Sequence, residues 1–198
     1  MKPKQIHIVF TSLILAIIGL VALFSLTTKS EFGETAPSSL DQLGGNFTLQ
    51  SLQGDVSLSD FKGKAVVMYF GFMSCPEVCP NSLGVIKAAF NKLDEDTIAD
   101  VQGIMISIDP KRDSLQSLEA FTQHFHPNIT GITGDEKILE KTAKQYGAYF
   151  SKTDDPKLGY LYEHVSRYYV IDKDGELVDA MRHSTTPNEL VARLKTII

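Results

Sequence analysis

From Ile6 to Leu26 the chain is almost wholly apolar, broken by His7, Thr11, Ser12, Gly19 and Ser25, with Lys2 and Lys4 ahead of the run. A hydrocarbon core of about 30 Å takes about 20 such residues as a helix. Residues 1–28 therefore read as an N-terminal transmembrane helix with its lysines on the cytoplasmic side. The run exceeds the roughly 7–15 apolar residues of a cleaved signal, and Leu26-Thr27-Thr28-Lys29-Ser30 offers no small-x-small cleavage site. Residues 29–40 turn small and polar, as a flexible linker does. The globular domain is expected over 41–198.

Within that domain the pattern alternates between strand and helix periods. Asn46 to Gln50 and Val56 to Leu58 flank Gly54-Asp55 and predict a hairpin. Lys64 to Gly71 and Val101 to Ile108 are apolar runs of the kind a strand covered on both faces requires. Helices follow at 81–93, with Leu83, Ile86, Phe90 and Leu93 on one face, and at 114–125, with Leu115, Leu118, Phe121 and Phe125 inward. Ile129 to Thr133 reads as a short strand, and Asp135 to Tyr146 as a helix that Gly147 stops. Arg167 to Asp172 and Glu176 to Met181 around Lys173-Asp174-Gly175 give a second hairpin, and 187–198 a closing helix. The order β-β-β-α-β-α-β-α-β-β-α implies an α/β domain, a central mixed sheet flanked by helices. Its site belongs at the carboxyl ends of the central parallel strands.

Composition narrows the partners. With 19 Lys+Arg against 24 Asp+Glu, a formal net charge of -5 argues against nucleic acid. The two cysteines both lie in Cys75-Pro76-Glu77-Val78-Cys79-Pro80, which excludes a scattered disulfide framework. That segment joins a buried strand to a helix start, where the peptide dipoles favour thiolate and hence both nucleophilic attack and metal ligation. Three intervening residues let the two sulfurs converge on one ion or close as a disulfide. His164, in Tyr162-Glu163-His164-Val165 ahead of the strand from Arg167, is the candidate third ligand. In a thioredoxin-like arrangement the loop entering the central sheet there faces the cysteines. Two thiolates and an imidazole suit Cu(I) and can also take Cu(II), whereas zinc usually wants a fourth ligand. Asp109 and Met73 are supporting candidates, Met73 as an auxiliary thioether. His124 and His126 read as helix-terminus residues, His183 as surface, and His7 as a membrane-boundary residue.

Several spaced motifs in this order resemble the Sco/SenC family of copper chaperones. They are Tyr69-Phe-Gly-Phe72, Cys75-Pro-Glu-Val-Cys-Pro80, Ser107-Ile-Asp-Pro-Lys-Arg-Asp113, Phe125-His-Pro127, Gly131-Ile-Thr-Gly134 and the downstream His164. The resemblance implies a thioredoxin-like fold, an N-terminal anchor and copper held by Cys75, Cys79 and His164. It further implies delivery to the oxidase subunit that carries the binuclear copper centre of cytochrome c oxidase, or, alternatively, thiol-disulfide exchange by the same cysteines on that subunit. A periplasmic copper donor or thiol reductant would then be a further partner. The expected location is the bacterial inner membrane, single-pass, with the globular domain in the periplasm. This chain departs from the family pattern at Glu163 and Val165 around the histidine, at Glu77 in the cysteine loop, and at Met73-Ser74 before it.

Overall fold

The computed structural model describes residues 39–198. The anchor expected over 1–28 and most of the 29–40 linker lie outside them, as does His7. Among the described residues no helix is long and apolar enough to cross a membrane.

Every residue of β3 (Ala65–Gly71) is buried, so the apolar run is covered on both sides, and it forms the centre of a five-stranded sheet. The strand order is β5-β4-β3-β8-β9. β4 (Val101–Ser107) and β5 (Ile129–Ile132) run parallel to their neighbours. β8 (Arg167–Ile171) lies antiparallel to β3, and β9 (Leu177–Arg182) antiparallel to β8. The mixed sheet expected from the element order is therefore present. A separate hairpin, β1 (Thr48–Ser51) with β2 (Gly54–Ser57), touches the sheet through an isolated bridge between Gln50 and Thr133.

The flanking helices are α1 (Val78–Phe90), α2 (Glu95–Ala99), α3 (Leu115–Phe125), α4 (Glu136–Gln145) and α5 (Pro187–Leu194). Their ends follow local chemistry. Ser114 accepts the Ser117 N–H at α3, and Thr186 with Glu189 forms a capping box at α5 behind Pro187. Gly147, at φ +64, ends α4 in the left-handed conformation. An aromatic cluster fills the core: Phe70 meets Tyr169 edge-on at 5.6 Å, and Tyr146 packs on both. The Tyr146 hydroxyl donates to the Gly45 carbonyl at 2.7 Å.

The structure corrects the expected order in three places. α1 begins at Val78, not at Asn81, because the first N–H groups of a helix have no internal partner and Pro80 is tolerated there. The short α2, capped by Asp94, had no apolar period to reveal it. Most important for function, residues 150–164 form a hairpin, β6 (Phe150–Asp155) with β7 (Gly159–His164), separate from the central sheet. His164 thus ends a strand and does not ride on the loop expected for it.

Candidate metal centre

β3 delivers the chain to the cysteine segment at its carboxyl end, and α1 takes Cys79 into its first turn. The main-chain N–H of Cys79 donates to Cys75 Sγ at 3.4 Å, so the first sulfur satisfies one of the helix's orphan amides. Both cysteines are free and buried. Gly71 makes the close approach possible, since a methyl there would lie 3.0 Å from Cys79 Sγ and 2.7 Å from the Tyr69 ring.

The imidazole arrives on β7. On β7 exposure alternates, with Tyr160, Tyr162 and His164 turned inward. His164 Nε2 stands 3.7 Å from Cys79 Sγ. The ligand atoms of Cys75, Cys79 and His164 all lie within 4.8 Å of one another, and among the described residues no other group of His, Cys, Asp or Glu converges in this way. Phe72 and Tyr69 meet the imidazole edge-on at 5.7 and 6.2 Å. The Tyr69 hydroxyl lies 3.8 Å from Cys79 Sγ and 3.3 Å from Ser166 Oγ, within hydrogen-bonding range of both.

The spacing fits one ion. Metal bonds of about 2.3 Å to sulfur and 2.0 Å to nitrogen, at trigonal angles, put sulfur and nitrogen about 3.7 Å apart and the two sulfurs about 4.0 Å apart. Burial sets the electrostatics. It pushes the Cys79 thiol up to about 12, a shift the Phe72 backbone and Tyr69 only partly oppose. It also pulls His164 below the usual imidazole range, which the Val165 backbone partly opposes, and among the described residues Nδ1 has no hydrogen-bond partner. Without a metal, burial thus keeps Cys79 as the thiol, against the thiolate expected at a helix start. The site holds a neutral thiol and a neutral imidazole, and a soft cation would supply the charge that makes thiolate favourable there. The same two sulfurs can instead close as a disulfide.

The other candidates sit elsewhere. Met73 packs against the core, and its N–H donates to Asp113 at 2.9 Å. Asp109 is wholly buried, paired with Arg112 and hydrogen-bonded to Tyr160, and is not one of the converging ligand groups. His126 meets the Phe90 ring at 5.3 Å and accepts the Asn128 N–H, His124 is exposed against Phe125, and His183 is exposed. Sequence reasoning missed Tyr69 and Tyr160 as neighbours of the site. The alternation Tyr160-x-Tyr162-x-His164 was the available signal for a strand.

A thioredoxin-like α/β domain with two thiols and an imidazole converging at a strand-to-helix junction is the class defined by this fold and site. The chain belongs to the SCO1/SenC family, whose model matches residues 35–198. It is similar to the SCO2-like protein RC0895 of Rickettsia conorii, 32% identical over 157 residues, covering 78% of this chain and 76% of the relative. It spans about half the length of mitochondrial relatives it matches. Among solved structures, apo Sco1 of Thermus thermophilus matches with TM-score 0.73 at 32% identity, covering 79% of this chain and 92% of that one. Arabidopsis thaliana ScoI with copper bound matches with TM-score 0.72 at 31% identity, covering 78% and 98%.

Proposed function

We propose that this protein binds copper through Cys75, Cys79 and His164 and delivers it to the binuclear copper centre of cytochrome c oxidase during assembly. The observation that carries the reading is the convergence of two sulfurs and Nε2 within 4.8 Å in a buried pocket mouth. The matching Arabidopsis structure holds copper. Such a donor set favours Cu(I) and accepts Cu(II). Cys75 and His164 line a groove with Phe72, Pro76, Val78 and Leu161, so an incoming acceptor can reach two ligands directly. Copper then leaves by ligand exchange with the acceptor's own thiols. The apolar run at 6–26 supports an inner-membrane anchor with the domain in the periplasm.

A second reading, a thiol-disulfide oxidoreductase acting on the oxidase subunit's cysteines, rests on the two free, adjacent thiols. The imidazole separates the two readings. Anaerobic Cu(I) titration of the reduced full chain in detergent is expected to give one ion per chain, with affinity falling at least about 10-fold in His164→Ala, since one of the three ligands is lost. If His164→Ala binds copper as tightly as wild type while either cysteine variant abolishes exchange, the chaperone reading is wrong and the redox one stands.

A further inference from the structure

The motif Ser107-Ile-Asp-Pro-Lys-Arg-Asp113 has no part in the ligand set, yet it ties together the two segments that supply it. At one end, Asp113 is buried and accepts from the Met73 N–H at 2.9 Å and the Ser107 hydroxyl at 2.6 Å. This holds the start of the cysteine segment. At the other end, Asp109 has no exposed surface and would be costly to bury unpaired. Its charge meets Arg112, and its Oδ1 accepts from the Tyr160 hydroxyl at 2.7 Å. Arg112 also lies over the Tyr160 ring, its Cζ 4.0 Å from the centroid, and donates to the Tyr160 carbonyl at 3.2 Å. Lys152 stands 3.7 Å from the same centroid.

These contacts matter because β6–β7 has no ladder to the central sheet. A lone two-stranded hairpin is marginally stable in water, so beyond the two-residue link from His164 to β8 its position depends on side-chain anchors. From Tyr160 the aromatic contacts run in sequence to the site: Tyr160 to Tyr162, Tyr162 to Phe72, and Phe72 to His164, each 5.7 Å between ring centroids.

Resting on the metal-site reading above, we propose that Asp109, Arg112 and Tyr160 are positioning residues, a latch that holds the β6–β7 hairpin so that His164 faces the two sulfurs. None of the three belongs to the ligand group. It fixes one strand of the hairpin four residues before the histidine, on the same inward face, and the loop carrying it also fixes the cysteine segment through Asp113. Both halves of the site are thereby referred to one rigid turn.

The test uses the full chain in detergent as wild type, Tyr160→Phe and Asp109→Asn. Tyr160→Phe keeps the ring, the guanidinium stack and the carbonyl bond, and removes only the hydroxyl. In the metal-free protein, amide hydrogen exchange over 151–164 is expected to speed up about tenfold, with β3 and β4 unchanged and the His164 ring signals in NMR losing their distinct shifts. Cu(I) affinity is expected to fall about 10- to 100-fold, as for outer partners of metal ligands. Asp109→Asn, which still accepts the hydroxyl but loses the ion pair, is expected to fall between. Unchanged hairpin exchange in Tyr160→Phe overturns the latch, and so does faster exchange with wild-type affinity and ring shifts. Should the wild-type chain bind no copper, the functional reading fails, while exchange and the His164 ring signals still decide the latch. If Asp109→Asn does not fold, Tyr160→Phe alone carries the decision.

Discussion

Adding one methyl group at Gly71 tests whether the backbone under Cys79 sets the site. The new Cβ would lie 2.7 Å from Tyr69 Cε1, 3.3 Å from Tyr69 Cδ1 and 3.0 Å from Cys79 Sγ. Carbon contacts are comfortable near about 3.5–4.0 Å, so the methyl overlaps both neighbours. Neither gives way easily. Tyr69 and Cys79 have no exposed surface, and the Tyr69 ring is boxed by Tyr168 at 5.9 Å and by the bond to Ser166. Overpacking of this kind costs about 1–3 kcal/mol, and part of the relaxation must push the sulfur off its 3.7 Å spacing to His164. Gly103→Ala is the matched control. Its methyl, on β4 of the same sheet, would meet Ile129 at 2.9 Å and Phe90, at the carboxyl end of α1, at 3.2 Å, among contacts that do not include either sulfur. Urea unfolding is expected to show both variants destabilised by about 1–3 kcal/mol. Competition against a Cu(I) chelator is expected to show weaker binding, about tenfold or more, for Gly71→Ala alone. Equal copper affinity in the two variants, or a loss below about 0.5 kcal/mol for Gly71→Ala, would refute the reasoning.

Three further outcomes are expected. Tyr69→Phe removes the hydroxyl facing Cys79 Sγ and Ser166; the sulfur-to-Cu(II) charge-transfer band should shift, with stability lower by about 1 kcal/mol. Tyr146→Phe deletes the bond to the Gly45 carbonyl and should lower the urea midpoint by an amount equivalent to about 0.5–1.5 kcal/mol, leaving copper stoichiometry unchanged. For pH, burial first and Lys87 second hold His126 below the usual imidazole range, and its Nδ1 accepts the Asn128 N–H. Below the unfolded value of about 6.5 the unfolded chain takes up a proton the folded chain refuses, so stability falls as pH drops through that range. His126→Asn, which cannot titrate, should therefore lose less stability than wild type between pH 7.5 and 5.5, measured by urea midpoints of the metal-free chain.

The central sheet was legible because strands covered on both faces must be apolar throughout, as Ala65–Gly71 and Val101–Ser107 are. The cysteine pair was legible because both thiols share one short segment at a strand-to-helix junction, where local chain geometry alone brings them together. The β6–β7 hairpin was not. Lys152, Asp154, Asp155 and Glu163 interrupt any apolar signal, and the inward face of β7 is carried by two tyrosines and a histidine.

By itself the sequence determined the soft donor set, its junction and the α/β order, since these follow from residue type and period over short stretches. Tertiary structure alone decided that Cys79 and His164, 85 positions apart, come within 3.7 Å. It also decided that burial pushes the Cys79 thiol up. The physical reason is the same in both cases. Desolvation and long-range contact depend on what surrounds a group in space, and neighbouring letters in the chain carry little of that information.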